Sequence, residues 1–211
     1  LRTLQLISAL GDTLYKINKE GNLYPVLAKD LPKVSKDGLL IDIRLRKNIY
    51  FHDGTIFNAN AMKFSLNRFM KIGTLNYLLN DKIKDIEVKD EFLLRLKLKK
   101  PSSSIKSLLT SVNLTPVSPK SYTDYKERFN NKNFVGTGPY YLKSFSPGQQ
   151  TIQPYERYWG EKPMNTGIDY VNFNNSSTLF GAIRAKEVDV LISNSIDDMQ
   201  RVALNRMVNK N

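Results

Sequence analysis

Residues 134–150, FVGTGPYYLKSFSPGQQ, constrain this chain more than any other stretch. Two glycines flank a threonine, as in loops whose amides hold nucleotide phosphates. Such a loop must feed a helix N-terminus, where free N–H groups and the helix dipole meet the anion. Here Pro139 follows at once, and YYLKSF then alternates, with Tyr141 and Lys143 on one side and Tyr140, Leu142 and Ser144 on the other. SPGQ is a turn signal, and TIQPYE reads as the returning strand. The glycines therefore open a β-hairpin rather than a nucleotide site. Gly136 and Gly138 admit backbone angles closed to other residues, and Pro139 fixes the exit from a rigid corner.

The rest of the chain divides into short strands and helices without regular alternation. Residues 13–17 read as a strand turning at KEGN, with Gly21 left-handed, and PVLAKDL as a short helical turn. In LLIDIRLR, Leu39, Ile41, Ile43 and Leu45 alternate with Leu40, Asp42, Arg44 and Arg46, the period of a half-buried strand. Asn58 caps a predicted helix through ANAMKFSLNRFMK, whose Met62, Leu66, Phe69 and Gly73 share a face that reads as core packing. DIEVKDEFLLRLKL is a hairpin burying Phe92, Leu94, Leu96 and Leu98, and KKPSSSIKSLLTS supplies a short helix. From Asn113 the texture changes to an irregular connection with two prolines and a polar loop, NNKNF. After the corner and hairpin come YERYWGEKP, a strand at IDYVNFN, a helix at SSTLFGAIRAKEVD, a strand at VDVLI and a last helix from about Ser195. This order predicts an α+β fold with a switch near residues 110–135.

Composition removes several function classes. Cysteine is absent and His52 is the single histidine, which leaves no parts for thiolate chemistry, a His-dependent triad or a multi-histidine metal site. No catalytic residue, metal site or cofactor is expected. The net charge of +12 invites a nucleic-acid reading. Lysine outnumbers arginine 22 to 10, however, and the lysines are spread along the chain, whereas phosphate and guanine recognition favours arginine. A nucleic-acid partner is not expected. No apolar run approaches the roughly 18 residues of a membrane span, and LRTLQLISAL lacks the pattern of a signal peptide.

Seven stretches, taken together, resemble the extracellular or periplasmic solute-binding proteins of peptide-type ABC importers, the oligopeptide, dipeptide and nickel-binding group. They are DTLYKINKEGNLYPVLAKDL, GLLIDIRLRKNIYFHDGTIFNANAMKFSLNRF, LLRLKLKKPSSS, TPVSPKSY, VGTGPYYLKSFSPGQQ, YERYWGEKP and FGAIRAKEVDVLI. The resemblance implies a periplasmic-binding-protein type II-like fold. Residues 1–110 would form the smaller lobe with its N-terminal attachment, and residues 111–211 part of the first ligand-binding lobe. Family members are more than twice as long, so the second lobe is expected to be absent and the chain to be a shortened form, whether by gene truncation, proteolysis or design. The glycine corner would lie where the chain leaves the smaller lobe, and YWGEKP would be a structural corner with Tyr158 and Trp159 buried.

The implied function is capture of a short peptide or related small solute for uptake, without catalysis; nickel chelates, haem and oligosaccharides also occur among the family's ligands. The implied partners are the permease and ATPase subunits of an importer. The implied location is periplasmic or extracytoplasmic, with a membrane anchor on the full-length form. Gly11, Asp12, Asn113, Thr115 and Thr137 are the expected ligand-facing residues, on the approach to the first strand, the crossover and the corner. Asp12 fits either a ligand's amino terminus or the pinning of a turn. The rival reading is an interaction module that self-associates through apolar surface left uncovered by the missing lobe.

Overall fold

The alternation in LLIDIRLR builds the centre of the largest sheet. The computed structural model describes residues 2–122, 134–191 and 196–208. Strand β4 (Leu40–Arg44) pairs antiparallel with β6 (Leu93–Leu98), and β3 (Lys33–Val34) and β5 (Ile83–Asp90) complete the antiparallel order β3-β4-β6-β5. Ile41, Ile43, Leu94, Leu96 and Leu98 turn to one face and are buried. On the other face Arg95 makes a two-pronged ion pair with Asp42, at 2.6 and 2.8 Å, and Lys97 pairs with Glu87.

Helix α2 (Ala59–Ile72) covers the apolar face. Asn58 caps it, its Oδ1 accepting from the Ala61 N–H at 3.1 Å, and Met62 and Leu66 enter the core beside Phe51 and Phe57. Phe69 and Met70 pack at its margin. Short helices α3 (Tyr77–Asn80) and α4 (Ile105–Leu108) close the same core through Leu79 and Ile105. Truncating a buried aromatic such as Phe51 to alanine would cost about 3–5 kcal/mol at a site like this.

Before this core, helix α1 (Arg2–Leu10) leads into a two-stranded ribbon, β1 (Tyr15–Ile17) and β2 (Leu23–Pro25), turning through Gly21 at φ +82°. The helical turn expected at PVLAKDL is not formed. The Val26 and Ala28 N–H groups donate to Leu14 O, and Lys29 N–H donates to Arg44 O. Those donors are committed to carbonyls outside the segment, so they are not free to close a helical turn.

After the core, 3-10 turns at Val112–Leu114 and Pro119–Ser121 carry the irregular connection. The predicted NNKNF loop lies, up to residue 133, outside the described residues. The predicted hairpin is present as β7 (Tyr140–Phe145) and β8 (Gln149–Pro154), and β9 (Ile168–Val171) adds to give the order β7-β8-β9. Helix α5 (Ser176–Arg184) is capped by Asn175, and α6 is Asp198–Val208. No strand forms through Leu191 of the predicted VDVLI. Val190 is 72% exposed there and no described strand lies beside it to pair. The described chain groups into two compact units, residues 1–145 with 151–168, and residues 146–150 with 169–211.

Candidate functional site

The site is built on the corner at residues 136–139. A Cβ on Gly136 would stand 2.2 Å from Leu10 O, and one on Gly138 2.5 Å from both Gly11 N and Leu10 C, so only glycine lets these two backbones touch. Gly138 N–H donates to Leu10 O at 3.0 Å, and His52 N–H donates to Gly136 O at 3.0 Å. The His52 ring also reaches the corner, its Nε2 standing 3.0 Å from Gly138 O. A carbonyl can only accept, which fixes the Nε2–H tautomer. Nδ1 is then a buried acceptor without a partner. Burial holds the imidazole below its ordinary range, partly opposed by the Gly138 bond and the charge of Asp53.

Asp12 is the second fastening. It is 4% exposed; its Oδ2 accepts from Trp159 Nε1 at 3.1 Å and its Oδ1 from the Tyr158 hydroxyl at 3.3 Å, while its backbone N–H donates to Thr137 Oγ1 at 3.3 Å. Burial pushes the carboxyl up, and the bonds from Trp159, Tyr158 and Thr137, with the charge of Lys16, pull it partly back. The same burial, with the Asp12 charge beside it, pushes the Tyr158 phenol up. Asp53 ties the neighbouring loop to the crossover by accepting from Ser118 Oγ at 2.6 Å and Ser121 Oγ at 3.2 Å.

These fastenings hold one wall of an open pocket of about 780 Å³, within the usual range for a small-molecule site. Helix α2 contributes Ser65, Arg68, Phe69 and Ile72, the following turn Gly73, Thr74 and Asn76, and the crossover Asn113, Thr115 and Val117. Ser65 bridges helix and crossover, its hydroxyl accepting from Val117 N–H at 3.0 Å and donating to Ala61 O at 2.9 Å. The Arg68 guanidinium lies over the Tyr122 ring at 4.4 Å.

Of the five residues expected to face ligand, Asn113 and Thr115 line this pocket. Asn113 is exposed, and the Thr115 hydroxyl is buried and without a hydrogen-bond partner. Gly11, Asp12 and Thr137 stand behind the wall. Thr137 is fully buried, both Asp12 oxygens are occupied, and the missing side chain of Gly11 makes room for the Thr115 methyl, which lies 2.3 Å from where a Cβ would be. Ser65, Arg68 and Asn76 are not among the expected residues. Their signal is positional: Ser65, Arg68, Phe69 and Ile72 follow helical spacing and define a face next to the apolar stripe. Among the described residues no group of His, Asp or Glu side chains could hold a metal ion, and no helix is long and apolar enough to cross a membrane.

The fold is that of a type II periplasmic binding protein. Over 97% of the chain it superposes on an ABC transporter substrate-binding protein from Sinorhizobium meliloti, with a TM-score of 0.85 and 27% identity, covering 43% of that chain. It also superposes on the periplasmic binding protein DppA of Helicobacter pylori in complex with the peptide STSA, with a TM-score of 0.73 and 27% identity over 86% of this chain and 40% of that one. NikA from Brucella suis, at 21% identity, shares the fold with a TM-score of 0.85 over 97% of this chain and 42% of that one.

The sequence narrows this further. Residues 22–211 match the model of the bacterial extracellular solute-binding proteins, family 5, and the chain belongs to that family. Among curated relatives, the glutathione-binding protein GsiB of Escherichia coli O157:H7 is 32% identical over 149 residues, 69% of this chain. The alignment covers 29% of that relative, so the chain spans well under half the length of the proteins it matches.

Proposed function

We propose that this chain supplies one wall of the ligand cleft in the substrate-binding component of an ABC importer, and that the cleft takes short peptides or peptide-like solutes. The observation that carries the reading is the open pocket between α2 and the crossover, with a preformed wall and polar groups on its surface. Extended peptides are held chiefly through their backbone and termini by donors and acceptors of this kind, while side chains sit in roomy hydrated space. Peptide-bound DppA of Helicobacter pylori and the glutathione-binding GsiB proteins support the same class of solute. Asn113 and Thr115 are the contact residues in this reading, and Gly11, Asp12 and Thr137 position the wall behind them. The protein acts outside the cytoplasm by capture and delivery to the permease, with ATPase subunits on the cytoplasmic side driving uptake.

Calorimetry of the full-length protein carrying this chain, with glutathione and a library of short peptides, tests the proposal. Saturable binding is expected, weakened about three- to tenfold by either Asn113→Ala or Thr115→Val, since each removes one hydrogen bond. Absence of binding by a folded, complete protein would overturn the solute class. Binding unaffected by both substitutions would overturn the site.

A further inference from the structure

A second concavity, of about 610 Å³, lies in the same unit and shares no lining residue with the first. Its floor is Leu45 and Ile49, both buried, its walls are Phe92 and Trp159, and its exposed rim carries Lys29, Arg44, Lys47 and Asn48. The backbone around it is tightly fastened. Leu45 N–H donates to Phe92 O at 2.8 Å, Lys29 N–H to Arg44 O at 2.8 Å, and Arg46 N–H to Leu27 O at 2.9 Å. Arg46 is committed to the wall itself, its Nε donating to Val26 O at 2.7 Å and its guanidinium lying 5.5 Å from the centre of the Trp159 ring. Asn48 turns the rim at φ +61°.

The charge on that rim is uncompensated. No carboxylate among the described residues lines the pocket, and neither Lys29 nor Arg44 has an ion-pair partner there. Lys47 lies 5.4 Å over the Phe92 ring, a contact that leaves its charge free for an anion. Cations gathered over an apolar floor and two aromatic walls are complementary to a molecule with an acidic head and an apolar body. We propose that this pocket binds an amphiphilic anion, its phosphate or carboxylate head held by Lys29, Arg44 and Lys47 and its apolar part lying on Leu45, Ile49, Phe92 and Trp159. The same head group can be carried by a soluble organic anion or by an anionic lipid at a membrane surface.

Trp159 is the single tryptophan of the chain, so the intrinsic fluorescence of the 211-residue protein reports on this pocket. The probes are hexyl phosphate, inorganic phosphate, and vesicles of phosphatidylglycerol or phosphatidylcholine. A saturable shift in emission is expected with hexyl phosphate or phosphatidylglycerol vesicles, with inorganic phosphate at least about tenfold weaker because it leaves the floor uncovered. Response to hexyl phosphate assigns a soluble ligand, and response to phosphatidylglycerol vesicles alone assigns the lipid surface. Phosphatidylcholine should leave the emission unchanged. Replacing both Arg44 and Lys47 with Glu should weaken binding at least about tenfold with an unchanged unfolding midpoint, and raised salt should weaken it in the parent. If that double variant fails to fold, Arg44→Gln is read in its place, with a smaller loss expected. No saturable shift with either amphiphile, or a shift that survives charge removal, would overturn the proposal.

Discussion

Substituting Gly138 with alanine tests how far this architecture depends on two backbones in contact. The new Cβ would stand 2.5 Å from Gly11 N and Leu10 C and 2.7 Å from Ala9 O, where ordinary contact begins at 3.4 Å. All three neighbours are main-chain atoms, so no side chain can swing aside to relieve the clash. The corner must withdraw by nearly an ångström, which stretches the 3.0 Å bond from Gly138 N–H to Leu10 O and disturbs the bond from Asp12 N–H to Thr137. Overpacking of this kind costs about 1–3 kcal/mol, and one lost hydrogen bond adds about 1 kcal/mol. The expected loss is therefore about 2–4 kcal/mol, read from urea unfolding followed by circular dichroism. Gly148→Ala is the control: nothing lies within 4 Å of its added Cβ, and a change within about 0.5 kcal/mol is expected. If the two variants unfold alike, close approach is not the reason for the glycine at 138.

Asp12→Ala removes the acceptor of two part-buried donors, Tyr158 Oη and Trp159 Nε1, and should destabilise by about 1–3 kcal/mol, with a red shift in tryptophan emission. Asp12→Asn, which keeps the shape and one acceptor, should lose less; equal losses would show that the carboxylate's hydrogen bonds are not what matters. His52 makes stability depend on pH. Its folded-state pKa lies below the unfolded value of about 6.5, so the unfolded chain takes up a proton first and stability falls as pH drops below that value. His52→Gln should flatten the fall in urea midpoint between about pH 7 and pH 5, and an unchanged slope would remove the histidine from the explanation. Asp12 acts with the opposite sign and at lower pH: its raised pKa favours the folded state as pH falls toward the ordinary carboxylate value, so Asp12→Asn should steepen the acid limb.

The elements legible in the sequence are those whose local pattern and tertiary role agree. Ile41, Ile43, Leu94 and Leu96 alternate because one face of their sheet is covered, and Asn58 stands where the first turn of α2 needs an acceptor. PVLAKDL misleads because its composition suits a helix while its N–H groups are taken by Leu14 and Arg44 carbonyls, a decision made by residues distant in sequence. The lining of the candidate pocket is partly legible. Asn113 and Thr115 follow from their place on the crossover. Ser65, Arg68 and Asn76 do not, because the α2 face that carries them adjoins a Met/Phe stripe that already explains the helix. Asp12 left two readings open in the sequence, and only its neighbours Tyr158 and Trp159, some 146 residues away, show what its oxygens touch.

The bond from Asp12 N–H to Thr137 Oγ1 spans 125 positions of sequence, and the Gly138–Leu10 contact lies beside it. These contacts join the approach to β1 and the glycine corner in one seam. A loop whose ends already meet can be lengthened, exchanged or removed with little further entropic penalty, because closure entropy grows only with the logarithm of loop length. The stitch at residues 10–12 and 136–138 therefore closes the loop between them in advance, so its length can change at little cost as long as the contacts of Arg46, Phe51 and His52 with Trp159, Tyr155 and Gly138 are kept.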